Sequence, residues 1–145
     1  MTNLNLRFRI IDDIASADFV FEAYGKTLTE LFSNCAYACF FAMTDPEKVE
    51  KTKKIDLSIS GTNPEELLYN FMAELIYLKD VEKMFFSGFE IMIANDSKSL
   101  EASIFGEAIN YDKHEIRTDV KAATFHDLKI ISDGSDFRTR MVLDL

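Results

Sequence analysis

Two aspartates in this chain stand at the ends of otherwise apolar strand patterns. In "TRMVLDL", Met141, Leu143 and Leu145 alternate with Val142 and Asp144, and alternation sends successive side chains to opposite faces of a strand. In "DFVFEAYG", Phe19, Phe21 and Ala23 fall on one face and Asp18, Val20 and Glu22 on the other. A carboxylate in such a place is either a solvated surface group or a metal ligand, and the second reading needs another carboxylate from elsewhere in the chain. A third polar cluster, "KHEIRTDVKAATFHD", carries His114, Glu115, Asp119, Lys121, His126 and Asp127. Alternation there groups Asp119, Lys121 and Ala123 against Val120, Ala122 and Thr124. Asp119 and Lys121 are then either a same-face surface ion pair, common and weak, or Lys121 serves a carboxylate-rich site. His126 on a strand reads as a hydrogen-bonded structural histidine rather than a ligand.

Other chemistry is missing from the sequence. It has no glycine-rich phosphate loop, dinucleotide fingerprint, serine elbow or HExxH. Five glycines in all leave little material for a nucleotide-binding loop. Cys35 and Cys39 lie four apart in a helical pattern. Zinc would need more Cys or His near them, so they read as small core residues.

The elements that must position these groups follow from periodicity and caps. "LRFRII" (6–11) and "DFVFEAYG" (18–25) read as strands, with "DDIASA" as a loop between them. A helix follows over "KTLTELFSNCAYACFFAMTDP". Thr27 and Glu30 have capping-box spacing, and Leu28, Leu31, Phe32, Cys35, Cys39 and Ala42 form its apolar stripe. "KIDLSIS" alternates as a half-buried strand. In "TNPEELLYNFMAELIYLKD", Asn63 caps a second helix, Pro64 takes its first position, and Glu65 and Glu66 meet the positive dipole end. Leu67, Leu68, Phe71, Met72, Leu75 and Ile76 are its buried side; a Phe and Met stripe can also line a partner groove. Four strands are expected after it: "FSGFEIMIAND", "KSLEASIFGEAI", "DVKAATFHDLKIIS" and "DFRTRMVLDL", with "DGSD" as a hairpin turn. The order predicts an α+β fold with a mostly antiparallel β-sheet and two α-helices packed on it, without linker, repeat or low-complexity segment.

The 145 residues argue for one domain over 1–145, long enough to bury a core without disulfides. A net charge of −9 and a pI near 4.7 disfavour broad nucleic-acid binding, which relies on Lys and Arg displacing counterions. They suit a cation or a basic protein partner. Unpaired thiols and an N-terminus without an apolar signal core predict a cytoplasmic protein, and "CAYACFFAM" is too short to span a bilayer.

Taken in order, "ADFVFEAYGKTLTELFSNCAYACFFAMTD", "DVKAATFHDL" and the closing "VLDL" resemble the archease family, in register from about Phe8 to Leu145. The shared pieces are Ala17-Asp18, Tyr24-Gly25, Met43-Thr44-Asp45, Gly106-Glu107, His114, Asp119-Val120-Lys121-Ala122 and Asp144. The resemblance implies an accessory protein, not an enzyme, that activates the RtcB-type RNA ligase. Such proteins promote guanylylation of the ligase at its active-site histidine, and so its repeated turnover, in tRNA splicing and RNA repair. It also implies a divalent-metal site, Ca²⁺ foremost with Mg²⁺ or Mn²⁺ as alternatives, formed by Asp18, Asp144 and a main-chain or terminal oxygen of Leu145. Oxygen donors suit such hard cations better than zinc. Lys121 matches a family lysine linked to activation. The chain departs from the family pattern in "DDIASAD", where many members have His-Thr before Ala-Asp and this chain has Ser16 and no histidine. A stand-alone metal-dependent hydrolase using Asp18, Asp144 and Lys121, and a general chaperone or interaction module, are the alternatives.

Overall fold

The structure, a computed structural model, describes residues 7–11 and 18–145. The expected loop at 12–17, with Ser16 and Ala17, lies outside the described residues. Along the chain come β1 (Phe8–Ile11), β2 (Asp18–Gly25), α1 (Leu28–Met43), a short 3-10 helix (Pro46–Lys48), β3 (Lys53–Ser60) and α2 (Pro64–Glu82). β4 (Met84–Ile93), β5 (Ser99–Ala108), β6 (Ala122–Ala123), β7 (Ile130–Asp133) and β8 (Asp136–Asp144) complete it.

The α+β class stands, with two antiparallel sheets instead of one. The first has the order β1-β2-β8-β6, with β7 also on β8; the second has the order β3-β5-β4. α1 packs on β2 and β8 of one sheet and on β4 of the other. That placement explains why it is buried beyond its expected stripe: Ala36, Ala38, Phe40 and Met43 are inaccessible or nearly so, as are Cys35 and Cys39. Burial pushes both thiols up, Cys39 to about 12, so neither is a nucleophile. On α2 all six expected core residues are buried, and Phe71 stacks on Phe32 of α1 at 6.2 Å. Its stripe is core and not an open groove.

Both helices start by the same device. Thr27 Oγ1 accepts from Glu30 N–H (3.0 Å), and Glu30 reaches back to Lys26 N–H (2.7 Å). Asn63 Oδ1 accepts from Glu66 N–H (2.8 Å), and Glu66 reaches back to Thr62 N–H (2.8 Å). Each cap lies two residues after a glycine at the end of a strand: Gly25, the last residue of β2, and Gly61, just after β3. A Cβ on Gly25 would lie 2.4 Å from Leu31 N, and one on Gly61 2.7 Å from Leu67 N. Asn34 and Asn70 then donate back to Tyr24 O (2.7 Å) and Ser60 O (2.8 Å). The strand-to-helix joint is therefore repeated with identical spacing, although the sequence pattern predicts no repeat: only Gly, Glu, Leu and Asn are shared.

The expected strand over "DVKAATFHDLKIIS" is broken into β6 and β7. Thr124 donates both its N–H (3.1 Å) and its hydroxyl (3.0 Å) to Val142 O, and the Thr139 hydroxyl donates to Lys129 O (2.7 Å). Between them Asp127 takes a left-handed conformation, φ 52°. Side-chain bonds to the backbone replace the ladder there. The "DGSD" turn forms as expected, pairing Asp133 with Asp136. Gly134 has φ 73°, as at the first central position of a type II′ turn.

Candidate functional site

β2 and β8 run antiparallel in a register that sets Asp18 opposite Asp144, then Phe19 opposite Leu143, through to Gly25 opposite Phe137. The register follows from burial. Phe21 and Ala23 of β2 and Thr139, Met141 and Leu143 of β8 all face the core, and a one-residue slip would turn them outward. That same register places the two aspartates side by side on the outer face, both exposed. On the far side of β8, Asp144 O accepts from Lys121 N–H at 2.8 Å. A residue's N–H and C=O share one direction in a strand. Asp18 and Asp144 therefore form a non-hydrogen-bonded pair, the closer kind, with Cα atoms about 4.5 Å apart. Two carboxylates so placed oppose each other electrostatically, and a cation relieves that opposition.

The structure brings together the residues named from sequence: Asp18 and Asp144 as cross-strand partners, and Lys121 bonded through its backbone to Asp144. Leu145 follows, half-buried. The donors are oxygens only. Among the described residues no group of three or more His, Cys, Asp or Glu side chains converges, so a cation here would be held by two carboxylates, main-chain oxygen and water. That set fits a hard ion.

Asp119 does not pair with Lys121. Its Oδ1 lies 2.6 Å from Lys79 Nζ, on α2. Residues 119–121 also depart from strand alternation: Val120 is fully buried while Lys121 and Ala122 are both exposed. His126 is in an exposed turn and not on a strand, its Nε2 3.2 Å from Asp127.

His114 is buried, and it anchors the loop leading to Lys121. Asn110 N–H donates to its Nδ1 (3.0 Å), so Nε2 carries the proton and donates to Glu107 (2.9 Å). Lys113 Nζ lies 2.7 Å from the same carboxylate, and Glu50 N–H donates to it (2.8 Å). Burial alone would raise the Glu107 pKa. The bonds from Lys113, the Glu50 amide and His114 outweigh it and hold the pKa at about 2.

Sequence reasoning missed Lys79. The signal was present: it continues the stripe of Leu68, Met72 and Leu75, where a charged residue is out of place.

The model of the Archease protein family matches residues 8–145. Protein archease of Sulfurisphaera tokodaii is 39% identical over 130 residues, 90% of this chain and 94% of the relative. That of Pyrococcus furiosus is 40% identical over 123 residues, 82% and 87% of the two chains. Among solved structures, Methanobacterium thermoautotrophicum protein 1598 superposes with a TM-score of 0.78 at 34% identity, covering 95% of this chain and 98% of that one. A Thermotoga maritima protein described as an archease and possible chaperone shares the fold, with a TM-score of 0.65 at 20% identity over 89% and 91% of the chains.

Proposed function

The chain belongs to the archease family, and from that premise we propose that it is an accessory protein that activates an RtcB-type RNA ligase. It promotes ligase guanylylation and multiple turnover in tRNA splicing or RNA repair, and catalyses no covalent step itself. The observation that carries this reading is the register of β2 and β8. It sets Asp18 directly opposite Asp144 and leaves Lys121 exposed beside them. Asp18, Asp144 and a main-chain oxygen of Leu145 would hold a divalent cation, Ca²⁺ foremost. When bound, the ion supplies positive charge and an open position for an anionic group of the ligase or its nucleotide. Lys121, exposed and bonded through its N–H to Asp144 O, adds a cation next to the same corner. The acidic surface favours encounter with a basic ligase. A possible-chaperone role, as described for the Thermotoga relative, is the coarser form of the same activity: assistance to another protein.

GTP-dependent guanylylation of a cognate ligase, measured with and without this protein, tests the reading. Stimulation at substoichiometric amounts is expected, with loss in folded Asp18→Ala and Asp144→Ala. No stimulation of an active ligase by folded wild type sinks it. Turnover of a phosphoester substrate by the isolated protein would favour the hydrolase instead.

A further inference from the structure

Lys79 is a lysine with its side chain 5% exposed, at the last turn of α2. Its three N–H donors meet three acceptors: Asp80 Oδ1 at 2.6 Å, Asp119 Oδ1 at 2.6 Å and Val120 O at 3.3 Å. No donor remains for a ligand. Burial alone would lower the pKa of the ammonium, but the bonds to Asp119 and Asp80 outweigh it, so the charge is kept. An apolar residue continuing the α2 stripe would avoid the cost of desolvating a charge. What an apolar residue could not do is fix the direction of the Val120–Lys121 peptide, whose carbonyl Lys79 bonds. Residues 115–121 contain no helix or strand, so side-chain and capping contacts decide where this segment lies. Directly after Val120 comes Lys121, whose N–H bonds Asp144 O.

We propose that Lys79 is a positioning residue for the aspartate corner: its ammonium holds the Asp119 carboxylate and the carbonyl of the Val120–Lys121 peptide, so that the N–H of that same peptide docks on Asp144. The functional consequence rests on the activator reading above; the positional one does not. Removing the brace frees the segment to detach from the β8 edge, and Lys121 then loses its fixed place beside Asp18 and Asp144.

Amide hydrogen exchange by NMR on Lys79→Met, beside wild type, tests the positional part. Exchange at the Lys121 amide is expected to quicken about tenfold relative to Met141 and Leu143 of β8, the loss of one hydrogen bond to a charged group. Asp119→Asn, which spares the other two acceptors, should give a smaller change of the same kind and covers the case in which Lys79→Met does not fold. Guanylylation assays on Lys79→Met, Lys121→Met and the double variant test the consequence. A brace acting through Lys121 gives a double variant no worse than Lys121→Met, whereas independent structural damage gives additive losses. Unchanged Lys121 exchange, additive losses, or full activation by Lys79→Met would each overturn the proposal. If wild type gives no stimulation, the activator reading falls and the exchange result still decides whether Lys79 positions Lys121.

Discussion

At the residue scale, the paired aspartates and the Glu107 carboxylate make opposite predictions about charge. Asp18 and Asp144 face each other as like charges. Without divalent ions, Asp144→Asn should be neutral or stabilising by about 0.2–1 kcal/mol. With Ca²⁺ at a hundred times its dissociation constant, wild type should gain about 2.7 kcal/mol and Asp144→Asn nothing; thermal melts with and without the ion read both. Glu107 is held at about 2, below its ordinary 4.5. A depressed folded pKa gives stability that is full above the unfolded value and lost as pH falls through the folded one. The melting temperature should therefore drop between about pH 4.5 and pH 2, and Glu107→Gln should flatten that branch of the curve. The sequence identified Asp18 and Asp144 because a strand edge in an apolar run is a local pattern. It did not identify the partner of Asp119, because Lys79 stands 40 residues away on a helix.

At the element scale, the repeated strand-to-helix joint depends on glycine. At Gly25 and Gly61 a Cβ would overlap the backbone of Leu31 and Leu67. Gly25→Ala and Gly61→Ala should each cost about 1–3 kcal/mol through forced backbone shifts, seen as a lower denaturant midpoint. Helices and caps were legible from sequence because capping residues and stripe residues lie within a few positions of each other. The split between β6 and β7 was not. The expected alternation ran through Thr124, but Thr124 and Thr139 donate their hydroxyls to backbone carbonyls, and hydroxyl chemistry carries no periodicity.

At the scale of the whole molecule, a net charge of −9 bears on partners and not on the fold. On the proposed activator reading, association with a basic ligase should be steered electrostatically, so its on-rate should fall steeply as salt rises while the off-rate changes little. Stopped-flow association at increasing ionic strength reads this, and a salt-independent on-rate would contradict it. α1 sits between two sheets, a layering that composition cannot express. The charge was fixed by the amino acids alone, whereas the layering was fixed by which apolar faces found each other.

By itself, the sequence determined the α+β class, the helix starts, the core faces of α2, β2 and β3, and the placing of Asp18 and Asp144 at strand ends; each is written in a short window, where spacing dictates which side a residue faces. Lys121 was singled out by the family resemblance and not by its spacing. The tertiary structure decided that there are two sheets, that β6 and β7 are separate, that Asp18 lies across from Asp144, and that Lys79 braces the segment carrying Lys121. All of these are contacts between distant parts of the chain. The pairing of Asp18 with Asp144 is settled by burying Phe21, Met141 and Leu143 together, because only one register satisfies every apolar face at once.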